Sequence, residues 1–207
     1  MVGLRKPDSS RSTWTDYCRW NDDQRWEIVG GEAFAMTSAP TPRHQQVVGN
    51  LYRRTFEHFE EKTCIPLISP IDLKLSDKDV VQPDLLVVCD PKQIRSTHIE
   101  GAPSLIVEVL LPSTALHDRG RKLELYARYG VGEVWLVTPS PSAIEVFLLD
   151  GDSYRLNRTY AKEDALRSPT FPDREIALAD VFNFPVDPGE QIPLVREGRP
   201  PAYASST

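Results

Sequence analysis

Apolar positions along the chain recur with two periods. Between residues 42 and 62, Val47, Val48, Leu51, Tyr52, Thr55, Phe56 and Phe59 return every three or four positions, which predicts an amphipathic helix. Thr41 suits its N-cap and Pro42 its first position, while Arg43, His44, Arg53, Arg54, Glu57 and Glu60 fill the polar side. Upstream, residues 13–20 predict a short helix capped by Ser12 or Thr13, and residues 25–29 and 32–37, joined by Gly30-Gly31, predict a β-hairpin. Residues 65–68 read as a strand, and the alternation of residues 71–75 as another with one solvated face. The apolar run 80–89 is interrupted by Pro83, which cannot donate to a ladder and therefore marks an edge, a bulge or a bend.

Residues 90–103 predict a loop with room for one helical turn. A strand follows from Leu105, then a turn at residues 111–114 and a helix over 114–129 stopped by Gly130. Residues 133–137, 143–148 and 153–156 predict strands, the last two joined at Asp150-Gly151. Residues 164–173 read as irregular, 175–178 as a short edge strand and 179–182 as a helical turn. Residues 1–12 and 185–207 are polar or rich in Pro and Gly and read as tails. With no repeat and no linker inside residues 13–184, the pattern predicts one α/β or α+β domain on a mixed β-sheet flanked by helices.

Composition narrows the class. A hydrophobic content of 40% with 26% charged residues is that of a water-soluble globular chain. No apolar run is long enough to cross a membrane, and none at the start reads as a secretory leader, so no membrane partner and a cytoplasmic location are expected. Cys18, Cys64 and Cys89 show no Cys-x-x-Cys spacing, and are expected to be reduced, mostly buried small hydrophobes. A net charge of −6 argues against nucleic-acid binding over the whole surface, yet leaves room for a local basic patch.

Glu108 is the local conflict. It interrupts the apolar run of residues 105–111, where a buried charge costs several kcal/mol unless paired or coordinated. Asp84 follows Pro83 at the mouth of the preceding apolar strand, and Lys122 lies on the helix after Glu108. If the two strands are neighbours, the carboxylates converge, and with a backbone carbonyl and waters they form a hard-oxygen site suited to Mg2+ or Mn2+. A lysine there can orient water and stabilise phosphoryl charge, a set that serves phosphodiester hydrolysis. Each residue also has an ordinary reading. Asp84 could cap a turn, Glu108 could reach solvent, and Lys122 could pair with Asp118 at the surface. His44, in the first turn of its helix, could bind metal or phosphate or simply cap, and Tyr126 could join the site or pack in the core.

Several segments in order, RWEIVGGEAFAMTSAPTPRHQQVVGNL, SPIDLKL, VVQPDLLVV, GAPSLIVEVLLPST and HDRGRKLELYARYGVGEVWLV, resemble the Uma2 family, also called DUF820, over about residues 14–182. The family is placed among the restriction-endonuclease-like PD-(D/E)XK nucleases. The resemblance implies a core of helix, three strands, helix and strand. It makes Pro83-Asp84 the PD motif and Glu108 the acid of (D/E)XK. The lysine two places after that acid is absent, because Leu110 stands there, and its counterpart is Lys122 on the following helix. Asp84, Glu108 and Lys122 are then the implied catalytic set, with Asp84, Glu108 and the Val109 carbonyl holding Mg2+ or Mn2+. Glu32, His44, Gln82 and Tyr126 are implied accessories. The family commonly has Ser where this chain has Leu111, and an aromatic residue where it has Val134.

The resulting expectation is a metal-dependent endonuclease acting on DNA, with RNA left open and a homodimer expected from paired cuts on a duplex. Arg43, Arg119 and Arg121, with Arg53 and Arg54, are the candidates for phosphate contact. A non-catalytic binding or accessory protein that keeps the fold is the alternative, and a hydrolase of smaller phosphoesters a third.

Overall fold

The structure is a computed structural model that describes residues 11–22, 24–36, 40–110, 115–173 and 175–184, without the side chains of residues 115–118. The turn expected at residues 111–114, Leu111 included, and the pairing of Lys122 with Asp118 lie outside the described residues.

In chain order, α1 (Trp14–Tyr17) leads into the hairpin β1 (Trp26–Val29) and β2 (Glu32–Ala35), then α2 (Pro42–Phe59) and β3 (Ile65–Ile68). Next come β4 (Leu73–Ser76), β5 (Asp79–Val81), β6 (Leu85–Val88), β7 (Ile99–Glu100), β8 (Leu105–Val109) and α3 (Ala115–Arg128). The chain closes with β9 (Glu133–Pro139), β10 (Ser142–Asp150), β11 (Ser153–Ala161), β12 (Ala165–Arg167), β13 (Glu175–Ala177) and α4 (Leu178–Val181). Local chemistry explains the ends: the Thr41 side chain caps α2 by accepting from the His44 amide, and Thr13 and Asp16 form a capping box on α1. β12 falls within the segment read as irregular, because it pairs with β13, a contact with no local sequence signature.

The strands divide between two mixed sheets, ordered β2-β1-β5-β4-β7 and β11-β10-β9-β8-β6-β3, with β12-β13 apart. Pro83 is where the chain passes from one large sheet to the other: β5 ends at Val81 and β6 starts at Leu85. The six-stranded sheet is apolar on both faces. Leu85, Val87, Leu105, Val107 and Val109 pack toward Val47, Val48 and Leu51 of α2. Leu86, Val88 and Ile106 pack toward Leu125 and Tyr126 of α3 and Leu73, Val81 and Ile99 of the smaller sheet. Glu108 points to this second face by strand alternation, so the site forms where α3 and the smaller sheet meet the larger one.

The cysteine expectation is corrected. Cys64 and Cys89 form a disulfide, and Cys18 is free and exposed rather than buried. The cause is register. Ile65 pairs with Val88 across β3 and β6, which sets Cys64 opposite Cys89, with Cα atoms 4.0 Å apart.

Candidate active site

Antiparallel pairing builds the carboxylate pair. Leu85 faces Val107 between β6 and β8, so the next step of the ladder brings Asp84 beside Glu108. The Val109 amide donates to Asp84 Oδ2 at 2.8 Å, fixing that carboxylate to the end of β8. Helix α3 then supplies two donors one turn apart. Lys122 Nζ lies 3.0 Å from Glu108 Oε1, and the Tyr126 hydroxyl donates to the same oxygen at 2.5 Å. Lys122 therefore points at the carboxylates.

The site contains a residue that the sequence reading passed over. Glu27 of β1 is buried and accepts from Lys122 Nζ at 3.2 Å and from the Gln82 amide at 3.0 Å. The signal that singled out Glu108, a lone carboxylate inside an apolar strand, was present in Trp26–Val29 as well. Three carboxylates, Glu27, Asp84 and Glu108, thus gather around one lysine.

The electrostatics follow from that count. Burial pushes the Glu108 carboxyl up to about 7; Lys122 opposes the shift, and the charges of Asp84 and Glu27 reinforce it. Burial works to discharge Lys122, but the charges of Glu108 and Glu27 outweigh it and hold the ammonium above its ordinary value. The Tyr126 phenol is likewise raised, first by burial and then by the charge of Glu108, so it stays protonated and donates.

His44, buried at the start of α2, brings Nε2 to 3.4 Å from Asp84 Oδ2. Burial lowers its basicity, yet the hydrogen bond to Asp84, its charge and a contact with the Val109 backbone raise it overall. Gln82 acts through its neighbours. Its side-chain amide donates to Tyr17 and to Asp72 at 3.0 and 2.8 Å, and its carbonyl oxygen accepts from Arg25 Nε at 2.8 Å. Glu32 opposes Val29 in the hairpin register, on the face that carries Glu27 and two residues further along. Among the arginines, Arg119 is held by Glu145 in a bidentate pair at 2.7 and 2.8 Å, and Arg54 pairs with Asp180 at 2.7 Å. Arg43 lies over the Phe184 ring and Arg121 over Phe34, at 4.0 and 4.2 Å from the centroids.

Among the described residues, no group of three or more His, Cys, Asp or Glu side chains is placed as a ready metal cage. The donors present still fit a hard divalent ion. Excess carboxylate charge around a single ammonium leaves the site short of positive charge, and the Asp84 side chain is 20% exposed, so it can be reached from solvent. Mg2+ typically takes one or two carboxylates and fills its remaining positions with water.

The fold and the clustered acids define a restriction-endonuclease-like α+β protein. A crystal structure of a putative nuclease belonging to DUF820 from Anabaena variabilis shares the fold, with a TM-score of 0.68 at 13% identity over 82% of this chain and 97% of that one. The sequence model of Uma2, described as a putative restriction endonuclease, matches residues 14–179, and the chain belongs to this family. A relative from Synechocystis, the uncharacterized protein slr1290, is 33% identical over 160 residues, covering 73% of this chain and 81% of its own.

Proposed function

We propose that this protein is a Mg2+- or Mn2+-dependent endonuclease that hydrolyses phosphodiester bonds of DNA. The observation that carries the reading is Lys122 Nζ reaching both Glu108 and Glu27 from α3, beside Asp84. Asp84, Glu108 and the Val109 carbonyl are the groups that would hold the ion. Lewis acidity toward a phosphoryl oxygen is the chemistry such an ion supplies when bound.

The chain's own residues do the rest. Lys122 stays charged at neutral pH, so it orients the attacking water and stabilises phosphoryl charge as a donor rather than removing a proton. Glu27 positions that lysine, sharing it with Glu108 so that the ammonium is not committed to one carboxylate. Tyr126 fixes the Glu108 carboxylate from within the core, and His44 fixes Asp84 from α2. Arg43, resting on the Phe184 ring, and Arg121, over the Phe34 ring, are candidates for phosphate contact, as is Arg119, whose guanidinium is held by Glu145.

Supercoiled plasmid incubated with the protein and Mn2+ should be nicked and linearised, and Asp84→Ala or Glu108→Ala should abolish both products. Cleavage that survives both substitutions would refute the assignment. A second reading, a binding protein without turnover, draws on Lys122 and Tyr126 both occupying Glu108 Oε1. It predicts no calorimetric Mn2+ binding that Asp84→Ala removes.

A further inference from the structure

We infer that the Cys64–Cys89 bond is a redox-addressable staple on the strand pair that carries Asp84. The two cysteines close one end of the β3–β6 ladder, beyond the Ile65–Val88 pair. The other end of the same ladder enters the site. Ile68 pairs with Leu85, the Ser69 amide donates to the Asp84 carbonyl at 3.0 Å, and Arg25 donates to the Ser69 hydroxyl at 3.0 Å.

Three features make this staple matter. β3 is the outermost strand of the six-stranded sheet, so among the described residues only β6 holds it by a ladder. It is four residues long, so its ladder to β6 is short. Its end residues Ile65 and Ile68 are 43% and 37% exposed, leaving Pro66 and the partly buried Leu67 to pack inward. Both cysteines are half-buried beside this open edge, where a small thiol can reach the bond.

The exchange is a two-electron transfer. A dithiol's thiolate attacks one sulfur to form a mixed disulfide and releases the other cysteine as a thiolate, which takes up a proton. The second thiol of the reductant, on losing its own proton, then displaces the first cysteine. The reductant leaves as a disulfide, with Cys64 and Cys89 as thiols. In the oxidised form β3 is clamped and the Asp84 end is held; in the reduced form the far end of the ladder is released.

The first test is a thiol count that does not depend on the nuclease reading. Protein prepared without reductant and alkylated under denaturing conditions should carry one adduct, at Cys18, and three after dithiothreitol. Three adducts without reductant would overturn the inference. The second test compares oxidised protein, dithiothreitol-reduced protein and the Cys64→Ser/Cys89→Ser double variant. Reduction and substitution should each lower Tm by about 5–10 °C, speed amide exchange at Leu67 and Ser69, and weaken calorimetric Mn2+ binding several-fold. Equal Tm and exchange in oxidised and reduced wild-type protein would overturn it, even if the double variant fails to fold. Equal thermal shifts with unchanged Mn2+ affinity would overturn the link to Asp84.

Discussion

Two buried glutamates show why burial alone does not mark a functional group. Glu133 is fully buried, and its carboxylate is satisfied by three donors: Trp135 Nε1 at 2.6 Å, the Ser168 hydroxyl at 2.9 Å and the Thr170 amide at 2.8 Å. Glu108 instead shares its lysine with Glu27 and faces Asp84, and its carboxyl is pushed from 4.5 up to about 7. Because the folded value lies above the ordinary one, the stability from protonated Glu108 is complete below 4.5 and disappears as pH rises through about 7. Metal-free protein should therefore lose stability across that window, while Mn2+ affinity should rise across it, since the ion needs the carboxylate ionised. Chemical denaturation and calorimetry at several pH values check these opposite signs. Lys122→Ala leaves Glu108 and Glu27 buried without their counter-charge, which should cost about 3–5 kcal/mol above pH 7 and less in acid, where Glu108 takes a proton. A cost in denaturant titrations that does not shrink in acid would contradict the pairing.

At the scale of elements, the site depends on a break and a helix. Pro83 ends one strand and lets the next join the other sheet, so Asp84 stands at the seam opposite Glu108. This was partly legible: the proline signalled an irregularity and the lone acid in residues 105–109 signalled a site, but neither says which sheet a strand joins. Lys122 was legible as a candidate on the helix after Glu108, but its spacing from Asp118 reads equally as a surface pair, and only the family resemblance favoured the site. Glu27 was missed although its strand carried the same signal as that of Glu108, since its contact with Lys122, 95 positions away, leaves no local trace. The disulfide was missed for a related reason, since it follows from the β3–β6 register and no cysteine motif encodes it. Glu133 offers a control at this scale, because it ties β9 to the segment around Ser168 rather than to the site. Glu133→Ala should destabilise by about 2–4 kcal/mol through its stranded donors and leave Mn2+ affinity unchanged, as paired denaturation and calorimetry would show.

Over the whole molecule, the net charge of −6 means that attraction to a polyanion must be local. The two large sheets serve that end by enclosing the acids at their junction, where a divalent ion can offset the excess. Arg43 on α2 and Arg121 on α3 stand on the two helices that also carry His44 and Lys122, so both helices combine site residues with cations supported on aromatic rings. Lys122 decides whether this junction is catalytic, because it can be replaced without removing a proposed metal ligand. The direct measurement is the rate of plasmid nicking at saturating Mn2+ by wild-type protein and by folded Lys122→Ala. Wild-type protein should cut, and the variant should bind Mn2+ yet cut at least about a hundredfold more slowly. Equal rates, or no cutting by the wild-type protein, would contradict the account.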